Sequence, residues 1–359
     1  FGNLGQSVAG AGDLDSDGYA DLVVGAPGIT SSSGSACVQY GGPTGIASAT
    51  LATCTTRLNS AYAFSRFGWD VAAAGDTNGD GYADLAVGAP GYTAFSGGEG
   101  AVFVWRGGAT RIASGGIETA TDSITGLQAA GGIGESVSGL GDMNGDGYAD
   151  LALGASQYNG VGAAFVFIGG PFGLGIQYEI GAFARLDPVI EVAGFDQAYF
   201  GASVSGGGDA NGDGFGDLVV GAPYQDHGFP LPVGDRGRAL VFFGGGAGIQ
   251  TERLPFTTID FPQNPVTAHA AERFGFDVAP AGDVNGDGRA DLVVSAFGFD
   301  GGQSGEGAAI VYMGGTTAAR VFQTDQVGAQ VSSARAAGDV NGDGYGDLIV
   351  GSASYDSGA

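Results

Sequence analysis

Apolar residues along this 359-residue chain come in short runs of four or five, and nowhere does a helical period persist. Asp84-Leu-Ala-Val-Gly-Ala89-Pro90 is typical: an apolar run bounded by an acidic loop and by Gly and Pro. That is too short for a helix and fits a strand buried on both faces. Before it comes an alternating run opened by an aromatic residue and Gly, as in Phe67-Gly68-Trp-Asp-Val71, Phe200-Gly201-Ala-Ser-Val204 and Phe274-Gly275-Phe-Asp-Val278. Leu4-Gly5 and Ile133-Gly134 open looser versions. After it comes a third run: Ala101-Val-Phe-Val-Trp105, Ala164-Phe-Val-Phe-Ile168, Leu240-Val-Phe-Phe243 or Ala309-Ile-Val-Tyr312. Gly-Gly closes each, and a variable stretch then leaves room for a fourth, outer strand. The pattern predicts an all-β chain.

The unit occurs six times, its acidic loop beginning at Asp13, Asp76, Asp142, Asp209, Asp283 and Asp339. Separations of 63, 66, 67, 74 and 56 residues suit one four-stranded sheet per repeat. The repeats run approximately 1–62, 63–129, 130–196, 197–270, 271–325 and 326–359, the last incomplete. Sheets apolar on both faces must stack, and radial stacking leaves only short outer edges. The expected fold is a β-propeller of four-stranded antiparallel blades, one domain over 1–359. The chain starts at a first strand and stops after the second strand of the sixth unit, whose opening pair is Gln330-Val331. Six or seven blades then need strands from further chain, such as other domains, or from a partner. An opening on Phe1, without Met or a leader, reads as a processed protein or an excised piece.

Charge narrows the partners. The formal net charge is −26, from 38 acidic against 12 basic side chains, every one of the latter Arg. That argues against nucleic acid and anionic membrane surfaces, and no apolar run is long enough to embed the chain in a bilayer. It points instead to a cation.

The loop reads Asp-x-Asp/Asn-x-Asp-Gly-x-x-Asp. Oxygen side chains at positions 1, 3, 5 and 9, with the carbonyl of position 7 turned inward past the Gly, form the hard donor set that Ca²⁺ takes. The candidate ligands are Asp13, Asp15, Asp17, Tyr19 and Asp21 in the first loop, and Asp76, Asn78, Asp80, Tyr82 and Asp84 in the second. Asp142, Asn144, Asp146, Tyr148 and Asp150 form the third set; Asp209, Asn211, Asp213, Phe215 and Asp217 the fourth. Asp283, Asn285, Asp287, Arg289 and Asp291 form the fifth, and Asp339, Asn341, Asp343, Tyr345 and Asp347 the sixth. Tyr19, Tyr82, Tyr148, Phe215, Arg289 and Tyr345 enter through their carbonyls. The loops contain no His or Cys, which argues against Zn²⁺. An EF-hand needs Glu at position 12, where these loops have Val24, Val87, Leu153, Val220, Val294 and Val350. They are hairpin loops leading into buried strands. About six Ca²⁺ are expected, one per repeat.

Phe-Gly, then Gly-Asp-x-Asn-Gly-Asp-Gly-x-x-Asp-Leu, then Gly-Ala-Pro (Gly88-Ala89-Pro90, Gly221-Ala222-Pro223) resembles the FG-GAP repeat of integrin α-subunit propellers over essentially the whole chain. The resemblance implies a seven-bladed propeller with calcium loops on one face and ligand contacts on the opposite one. Integrin α propellers carry calcium in only some blades, whereas all six loops are complete here, a regularity that fits a bacterial surface or secreted member. Gly-Ala-Pro is altered at Gly154-Ala155-Ser156, Ser295-Ala296-Phe297 and Gly351-Ser352-Ala353.

The function expected is adhesion or recognition of an extracellular protein or glycan, with Ca²⁺ structural and the protein secreted or on the cell surface. The alternatives are a module of a larger surface scaffold, or of a calcium-dependent polysaccharide lyase or phospholipase-like enzyme. No catalytic residue is singled out; His227 and His269 read as solvated loop residues. Tyr92, Phe95, Tyr158, Tyr199, Tyr224, Phe229 and Arg236 are candidate binding residues, and Tyr224 to Gly237 is the candidate functional loop. Cys37 and Cys54, 17 apart, are expected to pair as a disulfide between neighbouring strands in an oxidising compartment.

Overall fold

The computed structural model describes residues 2–95, 97–187, 198–225, 236–249, 256–259, 272–316 and 318–356. The chain is all-β and divides into two compact units, residues 1–159 with 163–185, and 160–162 with 186–359.

Three sheets make the first unit. Sheet one orders Val8–Gly12, Asp21–Ala26, Ser35–Gln39 and Thr56–Asn59; sheet two orders Val71–Gly75, Asp84–Ala89, Ala101–Trp105 and Asp122–Thr125. Sheet three orders Ser136–Gly141, Asp150–Ala155, Ala163–Phe167 and Ala184–Leu186. In the second unit, sheet four orders Ser203–Gly208, Asp217–Ala222, Arg238–Phe242 and Phe256–Ile259. Sheet five orders Phe274–Gly282, Asp291–Ala296, Ala308–Tyr312 and Ala319–Gln323; Val331–Gly338 pairs with Asp347–Ser352 as a two-stranded sixth. These four strands of each sheet are antiparallel, and every repeat contributes its own.

Strand alternation explains the double-sided burial. Leu85 and Val87 point toward sheet one, where they meet Val23, Val38, Leu58 and Phe67; Ala86 points toward sheet three, with Val102, Val104, Leu151 and Phe165. In the second unit Leu292 and Val294 join Val219 and Phe274, while Val293 joins Val311 and Val331 on the other face. Each such apolar side chain contributes about 1.5–3 kcal/mol on burial. The Asp347–Ser352 strand is largely exposed instead, Ile349 at 63%.

The opening pair precedes the first strand in repeats two to four, which start at Val71, Ser136 and Ser203, whereas in the fifth repeat Phe274 itself begins the strand, as the alternating run suggested. Phe67 lies ahead of Val71 and makes a parallel bridge to Gly34 of the preceding repeat; Ile133, Phe200 and Phe274 do the same with Gly100, Gly162 and Gly237. The next residue joins the two named motifs. Gly68 N–H donates to the carbonyl of Gly88, its own repeat's Gly-Ala-Pro glycine, at 2.9 Å. Its carbonyl lies over Gly25, the corresponding glycine one repeat earlier, where a Cβ would collide with it. Gly134 stands over Gly88, and Gly275 over Gly221, in the same way.

A further element was not expected. In the second and third repeats the connection after the third strand reaches the preceding sheet, and Gly115–Gly116 pairs in parallel with the outer strand of sheet one. Ile176–Tyr178 does so with the outer strand of sheet two. Arg106 secures the second crossing: Nε and an Nη bond to Asp122 at 2.9 and 2.8 Å, and the same Nη reaches the Phe172 carbonyl.

The disulfide is not made. Both cysteines are free thiols, and Cys54 precedes its strand rather than lying in it. The Cys54 thiol donates to the carbonyls of Leu51 and Thr56. Burial, then the neighbouring Cys54, pushes the Cys37 thiol up to about 12.

Candidate metal centre

Five of the six acidic loops share one full hydrogen-bonded frame, and the first keeps part of it through Asp13 and Asp17. In the second, Asp76 Oδ1 accepts from the N–H groups of Gly79 and Asp80, and Oδ2 from that of Gly81, at 2.7, 3.1 and 2.8 Å. Asn78 Oδ1 accepts from Asp80 N–H, its amide donates to Asp80 Oδ2, and Asp80 Oδ1 takes the N–H of Tyr82. Asp142, Asp209, Asp283 and Asp339 head the same network in later repeats. Position 6 has φ of 84–92° throughout (Gly18, Gly81, Gly147, Gly214, Gly288 and Gly344), the left-handed region the sharp turn requires. Position 4 is left-handed as well: Gly79, Gly145, Gly212, Gly286 and Gly342 occupy it, with Ser16 at φ 53° in the first loop. The glycine at that position was a sequence signal that went unread.

Position 9 does more than the motif implied. Asp84 Oδ2 accepts from the N–H of Thr77, and Oδ1 from the N–H of Gly107 just past the third strand. Asp21, Asp150, Asp217 and Asp291 tie Leu14 and Gly41, Met143 and Gly169, Ala210 and Gly244, and Val284 and Gly314 together likewise. This carboxylate therefore fastens the loop to the far side of its sheet. Asp347 holds the N–H of Val340 in the sixth loop.

Burial raises these groups. Asp150 and Asp217 are pushed up to about 6, and Asp21, Asp84 and Asp291 also stand above the ordinary carboxylate value, against the opposing pull of their hydrogen-bond donors. Asp283 and Asp339, at position 1, are lowered by backbone N–H donors, Gly288 and Gly344 first. With folded-state values above 3.8, Asp21, Asp84, Asp150, Asp217 and Asp291 penalise the native state once ionised. That cost accrues between about pH 4 and 6 and is complete above it. In chelator, the melting temperature should therefore rise as pH falls from 7 to 5; a fall over that interval contradicts the assignment. A bound divalent ion should stabilise less at pH 5, because protons compete for the same oxygens.

The first loop departs from the rest. One oxygen from each of Asp13, Asp15 and Asp21 lies within 4.8 Å of the others, the one such carboxylate group among the described residues. The Asp15 side chain is 8% exposed, and its Oδ1 is buried with no hydrogen-bond partner. A buried carboxylate oxygen left unpaired is costly unless something positive meets it. These residues fit a hard cation, and Asp17 and the Tyr19 carbonyl stand in the same loop.

The candidate binding residues separate on inspection. Phe95 is exposed, 6.0 Å from the ring of Tyr178. Tyr158 is a core residue packed edge-on against Phe165. Tyr92 is half-buried between Tyr62 and Phe103. Tyr199 and Tyr224 pack on each other, with the Arg273 guanidinium over Tyr224, and Arg236 is half-buried beside Glu272. His227, His269, Phe229 and residues 226–235 of the candidate loop lie outside the described residues. Sequence reading missed Phe64, 70% exposed at φ 62°, a strained setting for an aromatic residue. Phe64 lies against Gly91, at the end of the Asp84–Ala89 strand away from its acidic loop, about 17 Å along the strand.

Comparison with known proteins agrees with the repeat. The FG-GAP repeat model matches residues 4–36, 67–105, 134–167, 200–242, 274–312 and 333–359. Integrin alpha-PS2 of Drosophila melanogaster is 34% identical over 63% of this chain, and integrin alpha-V of Gallus gallus 31% over 68%. The matches cover 16% and 21% of those relatives, so the chain spans about a fifth of their length or less. Among solved structures, a fucose-specific lectin from Aleuria aurantia matches at 11% identity and a TM-score of 0.44, covering 98% of this chain and 97% of the lectin. With six repeat matches spread over more than half of its residues, the chain belongs to the FG-GAP repeat family.

Proposed function

We propose that the chain is an extracellular, calcium-braced β-propeller that serves adhesion or ligand recognition, residues 1–359 forming one propeller domain. About six Ca²⁺ ions hold the inner turns, and ligand contacts lie at the opposite ends of the strands. The observation that carries the metal assignment is the Asp15 carboxylate, grouped with Asp13 and Asp21 and with its Oδ1 buried and unpaired. Likeness to integrin alpha chains supports the recognition role. The small share of those relatives that is matched favours a module within a larger surface protein.

Phe64 and Phe95 are the best-placed contacts: exposed rings, away from the acidic loops, are typical interface anchors. Binding to arrays of extracellular proteins and glycans should be seen in millimolar Ca²⁺, disappear in chelator, and weaken at least tenfold on replacing both phenylalanines by Ala. Failure to bind any protein or glycan, with calcium present, would rule out the recognition role.

A further inference from the structure

We infer that Arg111 is an internal cation for the first loop, holding it together without metal and lowering its affinity for divalent ions below that of the other five. The inference rests on reading the loops as calcium sites.

Arg111 comes from the second repeat yet lies on the first. Its Nε bonds to Asp15 Oδ2 at 2.7 Å, an Nη stands 3.8 Å from Asp17 Oδ2, and its guanidinium covers the Tyr40 ring at 4.4 Å. The segment carrying it is pinned on both sides. Gly108 N–H donates to the Leu14 carbonyl, Ile112 N–H to the Tyr40 hydroxyl, and the Thr56 hydroxyl to the Ile112 carbonyl. Asp15 thus has two roles: its Oδ2 is held by arginine, its Oδ1 is buried and unpaired, and its carboxylate groups with those of Asp13 and Asp21.

The pairing is particular to this loop. After the third strands the chain reads Gly41-Gly42-Pro-Thr-Gly45, Gly169-Gly170-Pro-Phe-Gly173 and Gly244-Gly245-Gly-Ala-Gly248, but Gly107-Gly108-Ala-Thr-Arg111 in the second repeat. Gly170 N–H meets the Thr77 carbonyl as Gly108 meets Leu14, so Gly173 stands toward the second loop where Arg111 stands toward the first. The second loop has Asn78 at position 3, where the first has Asp15. The extra carboxylate and the arginine occur together, and Arg111 offsets the fourth carboxylate that the other loops lack. A guanidinium beside the site repels an arriving Ca²⁺ and already satisfies two of its carboxylates.

Calcium titration by calorimetry at low ionic strength, on the wild type and Arg111→Gln, tests this. One site in the variant should tighten about tenfold, the effect on a divalent ion of removing a unit charge roughly 6 Å away in water. The gain should fade in high salt and vanish when Asp13→Asn disables the first loop. Arg111→Lys, which keeps the charge, should match the wild type. In chelator, Arg111→Gln should melt below the wild type, because four carboxylates then face one another. An unmoved or weakened site, with the wild type still binding calcium, overturns this inference alone. A wild type that binds no calcium overturns the reading of the loops as well.

Discussion

Removing divalent ions with excess chelator should lower the melting temperature by about 10 °C. At ~1 mM free Ca²⁺ and a dissociation constant of ~0.1 mM, each site adds about 1.4 kcal/mol, and six add roughly 8. For 359 residues unfolding together, the entropy of melting converts that sum to about 10 °C. Electrostatics act in the same direction: each loop carries three or four carboxylates, drawn together most closely at Asp13, Asp15 and Asp21, and without a cation they repel. Scanning calorimetry in Ca²⁺ and in chelator measures the difference directly. Superimposable traces would remove calcium from the account of stability, leaving the backbone N–H groups around Asp76 and its counterparts as the loops' own support.

Replacing Gly88 by Ala should cost at least about 3 kcal/mol. A methyl group there meets the carbonyl of Gly134, a backbone atom in the next repeat that cannot turn aside, and Val137 as well. The neighbouring change Ala89→Gly, at a fully buried position of the same strand, removes a methyl and should cost about 1 kcal/mol. Denaturant unfolding of both variants compares the two. Equal, small losses would mean that adjacent sheets separate easily enough to admit a side chain.

The sheets were legible because their causes are local. Runs such as Asp84–Ala89 declare their burial in four letters, and the acidic loops declare their turns through Asp and Gly at fixed offsets. Much of the site was legible for the same reason. What escaped depends on partners far along the chain. Asp84 reads as a ligand, but its bond to Gly107 across the sheet needs the third strand in place. Asp70 reads as one polar residue in an alternating run; folded, its oxygens take the Ser7 hydroxyl from one sheet and the Val137 N–H from another. Arg111 and Asp15 are 96 residues apart, and only the crossing of Gly115–Gly116 over sheet one explains their meeting. The cysteines show the converse: closeness in sequence put the two thiols side by side without joining them.

Those crossings have a consequence for solubility. A four-stranded sheet ends in a row of amide and carbonyl groups that can recruit a stray β-segment from another molecule. Along the rims of sheets one and two, Gly115–Gly116 and Ile176–Tyr178 occupy part of that row from within the same chain. Self-association through rim-to-rim pairing is thereby discouraged, even at high local concentration.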